Sequence, residues 1–370
     1  MVPSPTTQKT KGYQFGTFQG VFTPNILTIL GVIMYLRFGW VLGQVGLPQT
    51  LFIVTLSTAI TFLTALSISQ MATNARMGVG GAYHIISRSL GPQAGAAIGI
   101  PLFLAQALSI AFYTAGFAES LGMMFPEYPV RTLGVIALGG ITLIAYFSAD
   151  IALKVQYVIM AAIALSLVSF FLGSPADVPV AADSSFLRLP FWAVFAVFFP
   201  AVTGILSGLS LSGDLKDPAR SIPRGTIGAV LISYVIYMSI PLFLTGLGLS
   251  PSTLIEDAFV MQKVARWDIL VMAGLWGATL SSAVGSILGA PRTLQALARD
   301  HVVPKFLSRG YGSKNEPHLA LFLSALIGLS GILAGSLDSI ATLLTMFFLT
   351  TYGLLNLSAA VEGMIQNPSW

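Results

Sequence analysis

The chain has no cysteine and very little charge. Its 370 residues include 18 Lys and Arg, 14 Asp and Glu and 3 His, so 9% are charged while 55% are hydrophobic. Without cysteine there are no disulfides, thiol nucleophiles or Cys-ligated metals. His84, His301 and His318 are scattered and lack metal-ligand spacing. No P-loop or hydrolase motif occurs, so an enzymatic reading has no residues to rest on. The polar start, Met1 to Lys11, lacks the apolar core and small-residue site of a cleavable leader.

The scarcity of charge is patterned. Ten charge-free runs follow one another, the shortest being the 18 residues from Thr132 to Ala149. A spanning helix needs about 20 mainly apolar residues. Ten transmembrane helices are therefore expected, near 18–45, 49–72, 94–123, 131–149, 150–173, 191–213, 223–248, 266–290, 318–336 and 338–361. The loop Ser174 to Pro190, rich in Pro, Ala and Asp, divides them five and five. Placing both termini in the cytoplasm puts 13 of the 18 Lys and Arg on the inner side and leaves Arg37, Arg131, Arg188, Lys263 and Arg266 outside. That asymmetry is the positive-inside rule. It accounts for the basic character without a nucleic-acid partner and makes the bilayer the expected surroundings: the plasma membrane, or the inner membrane of a bacterium. Domain boundaries follow: a cytoplasmic segment 1–17, one transport domain 18–361 with halves 18–173 and 191–361, and a tail 362–370. Gly80 to Leu90 and Arg292 to Leu307 read either as amphipathic helices at the membrane surface or as cytoplasmic loops.

The first helix of each half is interrupted. Thr23 to Ile33 breaks near Leu30–Gly31, and Phe198 to Asp214 breaks near Thr203–Gly204 after Pro200. Lipid satisfies no backbone polar group, so a helix breaks at bilayer depth only where it meets protein or lines a cavity. A matched pair of interrupted spans points to the substrate site of a secondary transporter. The plain alternative is a proline kink repaired by neighbouring helices. The amides of Gly31-Val32-Ile33 and Gly204-Ile205-Leu206 would open half-helices, whose positive ends attract anions. Ile29, Leu30, Val32 and Ile33 are bulky, which favours a compact anion such as chloride over an amino acid. Ala278, Ser281 and Ser282 share one helix face. Two hydroxyls beside freed carbonyls offer a hard cation all-oxygen coordination; equally, each serine could bond the carbonyl one turn back. Arg37 and Glu119 lie toward outer helix ends, Asp214 and Arg292 toward inner ends. Two such pairs suit an alternating-access gate, although headgroup anchoring explains any one of these charges.

Phe198 to Gly208 followed by Ser212-Gly-Asp-Leu-Lys-Asp-Pro218 resembles the sixth-helix signature of the cation-chloride cotransporters. Gly80 to Pro92, Tyr113 to Glu119, Ala278 to Ala283, Ala290 to Leu297 and Phe347 to Ser358 are similarly close. The resemblance covers roughly residues 15 to 361. The Gly-Gly-x-Tyr element is shared with the wider amino acid-polyamine-organocation superfamily, while the sixth-, eighth- and tenth-helix strings are specific. It implies a leucine-transporter-like 5+5 inverted repeat, electroneutral symport by alternating access, and no cofactor. It implies sodium at Leu27, Leu30, Ala278, Ser281 and Ser282, and potassium at Thr28, Ile29, Tyr113, Pro200 and Thr203. Chloride would lie at Gly31, Val32 and Ile33, and at Gly204, Ile205 and Leu206 with Tyr352. Arg37–Glu119 and Asp214–Arg292 would be the gates. The serine pair resembles the sodium-using branch, and Tyr113 the potassium-using members. Thr28 departs from the family's asparagine beside potassium. The family's twelve spans and its dimer-supporting C-terminal domain extend beyond these ten helices, which leaves a homodimer open. An amino-acid or polyamine permease of the same superfamily is the competing reading.

Overall fold

The computed structural model describes residues 15–74, 81–147, 151–174, 188–209, 215–312 and 315–365. The gate residue Asp214, segment 1–14, loop 175–187 and the end of the tail lie outside them.

The described residues are helical, apart from two isolated bridges, Phe15 with Leu215 and Tyr311 with Glu316. After a π-turn at Phe18–Phe22 come α1 (Thr23–Ile29), α2 (Val32–Leu36), α3 (Phe38–Asn74), α4 (Gly81–Met124), α5 (Val130–Phe147) and α6 (Ile151–Phe171). The second half holds α7 (Phe191–Phe198), α8 (Pro218–Gly246), α9 (Pro251–Glu256), α10 (Val260–Val264), α11 (Asp268–Arg299), α12 (His318–Ala334) and α13 (Leu337–Ile365). Two 3₁₀ turns, Phe199–Val202 and Gly204–Leu206, follow α7. Among the described residues, six stretches are long and apolar enough to cross a membrane: Phe18–Leu36, Phe38–Thr73, Gly91–Met124, Pro218–Gly246, Asp268–Arg299 and Leu337–Met364. Val130–Tyr146, Val155–Phe171, Phe191–Leu206 and His318–Ala334 are apolar but shorter.

Glycine marks the bends within the longest helices. Gly46 (φ 73°, ψ 170°) divides α3, and Gly91 (φ 85°, ψ 167°) divides α4, setting the arm 81–90 apart from the rest. That backbone region is essentially reserved for glycine. The arm is tied to the far end of α11, since the Tyr83 and Ser87 hydroxyls both donate to Asp300 Oδ2, at 3.0 and 3.1 Å. Burial and the Asp300 carboxylate push the Tyr83 phenol up to about 12, so it remains a donor at neutral pH.

One sequence expectation changes here. Arg292–Leu307 is not a separate surface helix, because α11 runs unbroken through Pro291 to Arg299. Ile287, Ala290, Leu294, Leu297 and Ala298 are all buried. Their packing outweighs the hydrogen bond that Pro291 removes. Only Lys305–Ser308 beyond it forms a 3₁₀ turn.

Helix starts are capped where the sequence provides a cap. Ser250 accepts from the Thr253 amide at 3.2 Å, with Pro251 opening α9. Ser169 on α6 donates to the Trp267 carbonyl and accepts from the Trp267 amide, both at 2.8 Å, which fixes the start of α11. Helix α4 packs on α11 and α13, and α3 packs on α8. The short α1 and α2 lie among them.

Gly46 gives the strain argument a direct test. Gly46→Ala should cost about 1–3 kcal/mol, although nothing lies within 4 Å of its Cβ position. Gly139, inside α5 and equally open, should gain up to about 1 kcal/mol as alanine. Thermal unfolding in detergent checks both, and equal shifts would contradict strain at Gly46.

Candidate functional site

The chain breaks at two places, and the two breaks touch. Helix α1 ends at Ile29. Leu30 (φ −76°, ψ 59°) and Gly31 (φ −114°, ψ −145°) leave helical geometry before α2 begins at Val32. The Leu30 amide still reaches the Ile26 carbonyl at 2.9 Å, whereas the Gly31 amide turns back to the Ile29 carbonyl at 2.7 Å. In the second half, unwinding starts at Phe199, just before Pro200, and continues past Thr203. A Cβ on Gly204 would lie 2.8 Å from the Ile29 nitrogen and 2.9 Å from the Thr28 Cβ. Only glycine permits that approach.

The sequence anticipates a half-helix from Gly204, but the described residues there form a three-residue 3₁₀ turn. Close packing explains the difference. Gly208 lies against the Val21 backbone as tightly as Gly204 lies against Thr28 and Ile29. The amides of Gly204, Ile205 and Leu206 still open the turn, whose own bonding starts where the Ser207 amide donates to the Gly204 carbonyl at 3.2 Å.

Buried side chains hold the breaks in register. Asn25, fully buried, accepts from the Gly208 amide at 2.7 Å and donates to the Thr226 hydroxyl at 3.3 Å. Thr28 Oγ1 donates to the Pro24 carbonyl at 2.8 Å and lies 2.9 Å from Ser207 Oγ. The Thr203 hydroxyl donates to the Pro200 carbonyl at 2.9 Å. Tyr352, from α13, donates to the Thr203 carbonyl at 2.8 Å, so its single proton goes to that carbonyl, one residue before the turn it was expected to cap. Tyr237, from α8, donates to the Ile29 carbonyl and lies 3.3 Å from the Ala201 carbonyl, between the two breaks.

The expected cation residues fall into two groups. Leu27, Leu30, Ala278 and Ser282 are buried, Ser281 is half-buried, and α1 packs against α11. Ser282 Oγ is buried without a hydrogen-bond partner. A serine of this kind usually bonds the carbonyl one turn back, and this one does not. Tyr113 is buried on α4, its ring 3.8 Å from the Cβ position of Gly31.

A family model described as Amino acid permease matches residues 20–361. The chain belongs to the amino acid permease family. Among curated proteins, the chain is 32% identical to Solute carrier family 12 member 2 of Mus musculus, over 98% of its own length and 36% of the relative's. It is likewise 32% identical to Solute carrier family 12 member 1 of Homo sapiens, over 96% and 38%. It is 34% identical to the bumetanide-sensitive sodium-(potassium)-chloride cotransporter of Manduca sexta, over 97% and 40%. The chain thus spans less than half the length of these relatives. They bear out the cotransporter resemblance read from its motifs.

At the other end of α2, the chain buries the Arg37 guanidinium. Arg37 donates from Nη1 to Glu119 Oε2 at 3.1 Å and from Nη2 to Glu119 Oε1 at 3.0 Å. Its Nε donates to Asp338 Oδ1 at 2.6 Å. The sequence pairs Arg37 with Glu119, and the structure adds Asp338 from the first turn of α13. Arg292 of the other expected gate is exposed on α11, where it lines a small cleft with Glu316 and His318.

Sequence reasoning passed over Tyr237, Asn25, Ser207 and Asp338. Two signals were available: a phenol in the middle of an apolar span needs a partner, and Asp338 lies on the same side as Arg37 in the expected topology.

Gly204→Ala should cost about 1–3 kcal/mol, because the backbone atoms it meets cannot turn aside. Gly31→Ala meets the Thr28 carbonyl at 3.1 Å and should be milder. Thermal unfolding in detergent ranks the pair, and the reverse order would contradict the close approach of the two breaks.

Proposed function

We propose that this chain is a secondary active transporter moving chloride in electroneutral symport with sodium and/or potassium by alternating access. The observation that carries this reading is the contact of the two breaks at Gly204, with the unpartnered Ser282 hydroxyl buried on α11, a helix that packs against α1. Freed backbone and a dry hydroxyl on helices that pack together suit inorganic ions. The architecture proposed is ten spanning helices in a 5+5 inverted repeat, in the plasma membrane or a bacterial inner membrane, with both termini cytoplasmic. No cofactor is required.

Leu27, Leu30, Ala278, Ser281 and Ser282 form the proposed sodium site. Thr28, Ile29, Tyr113, Pro200 and Thr203 form the potassium set. Chloride is assigned to the amides of Gly31, Val32 and Ile33 and of Gly204, Ile205 and Leu206, where Tyr352 holds the turn through Thr203. Arg37 and Glu119, joined by Asp338, close the outer side, and Asp214 with Arg292 the inner side.

The family's description favours a second reading, an amino-acid permease. Against it stand Ile29, Leu30, Val32 and Ile33, all at most 4% exposed, which crowd the first break. Chloride uptake into proteoliposomes, with sodium, potassium and amino acids varied independently, separates the two. An amino acid taken up without chloride would replace the symport reading.

Two outcomes are expected of the site. Ser281→Ala with Ser282→Ala should abolish sodium dependence without lowering the unfolding temperature, because a buried unpaired hydroxyl contributes nothing to stability. Sodium dependence that survives the double substitution would remove this site. Bromide should also replace chloride while gluconate should not, since amide ends recognise compact charge. Uptake supported by gluconate would defeat the anion assignment.

A further inference from the structure

Holding potassium requires oxygens whose lone pairs replace its hydration shell. A carbonyl oxygen has two lone pairs. At Ile29 both are taken, one by the Gly31 amide at 2.7 Å and the other by the Tyr237 hydroxyl. At Pro200 both are also taken, by the Thr203 amide at 3.3 Å and the Thr203 hydroxyl at 2.9 Å. The Thr28 hydroxyl is engaged by the Pro24 carbonyl and Ser207. Two members of the expected potassium set, the Ile29 and Pro200 carbonyls, are therefore saturated by the chain's own donors.

The sodium set differs. The Gly31 amide, which would have continued the helix onto Leu27, bonds Ile29 instead, and Ser282 Oγ has no partner. Among the described residues, no hydrogen bond reaches the Leu27 or Leu30 carbonyl. These oxygens keep lone pairs for a cation.

We infer that Tyr237 is a specificity-determining residue: its hydroxyl fills the potassium seat from within, so that chloride is coupled to sodium alone. This rests on the symport reading above. Tyr237 is fully buried and comes from α8, outside the set expected to bind ions. Its phenol ring packs against Phe38 and Phe198, with ring centroids 5.4 and 6.0 Å away. Moving the hydroxyl aside would strand a donor in a dry interior, which is costly. Thr28 fits the same arrangement, since its short side chain bonds back into α1 rather than reaching toward a cation.

The test uses the full chain in proteoliposomes, with chloride and rubidium uptake followed while sodium and potassium are varied independently. Wild type should take up chloride in response to sodium, be indifferent to potassium and carry no rubidium. Tyr237→Phe keeps the ring but frees the Ile29 and Ala201 carbonyls. Its apparent potassium affinity should rise by roughly tenfold, the worth of one ligand to a charged group. Rubidium entering with chloride in wild type would overturn the inference, as would an unchanged potassium response in a folded Tyr237→Phe. If that variant does not fold, wild-type rubidium flux decides alone. Absence of chloride uptake with every cation would overturn the symport reading itself, and this inference with it.

Discussion

A hydrocarbon interior offers backbone groups no water, so the amides and carbonyls released by a broken helix must find a partner within the chain or in a bound ion. The rest of the structure depends on how this is met at Leu30–Gly31 and Thr203–Gly204. Gly204 lets the second break lie directly on Thr28 and Ile29, and Gly208 and Gly225 extend the close fit along Val21. Asn25 then satisfies the Gly208 amide, Tyr237 the Ile29 carbonyl and Tyr352 the Thr203 carbonyl. The two tyrosines come from α8 and α13, so the irregular centre is held from both sides by helices that are themselves regular.

The same economy governs charge. Arg37 is only 8% exposed, and burial of an unpaired guanidinium would be prohibitive. Its fork donates end-on to Glu119 through both Nη atoms while Nε donates to Asp338, which joins the α2–α3 junction, α4 and the start of α13. Helix α4 is anchored again at its other end, where Tyr83 and Ser87 donate to Asp300 just beyond α11. One long helix is therefore tied at both ends by charge-assisted hydrogen bonds. Between those ties it presents Tyr113 and Gly116 to the first break, with Gly116 against Val32.

Both interruptions were legible in the sequence because glycine and proline act locally: Gly31 and Pro200 announce a fault in the helix whatever surrounds them. The expected span 266–290 stopped where the charge-free run ends at Arg292, whereas α11 continues through Pro291 to Arg299 because the residues on either side are buried. The short 3₁₀ turn at Gly204 was hidden because its tightness comes from Thr28 and Ile29, far away in the chain. Tyr237 and Asp338 were passed over on similar grounds. Their partners lie 208 and 301 residues away, so the signals they carry mark a need for a partner without naming it. For Ser282 the sequence left back-bonding and ion binding equally open. Its unpartnered oxygen is a property of the packed bundle alone.

Lone-pair accounting ties the cation question to the anion one. On the proposed reading, a neutral hydroxyl at the Ile29 carbonyl closes that seat without adding charge, so electroneutral coupling would pair sodium with chloride. Of the two turns proposed for chloride, the one at Gly204 is bound into the protein by Asn25 and Tyr352. The turn at Gly31 opens a five-residue helix, and Leu30, whose carbonyl is proposed for sodium, lies immediately before it. A cation there and an anion at Val32 would neutralise each other across a few ångströms of low-dielectric interior, where attraction is strongest. The first break would then be the transporting element. The second would be the surface that shapes it, which is why a glycine is needed at their contact.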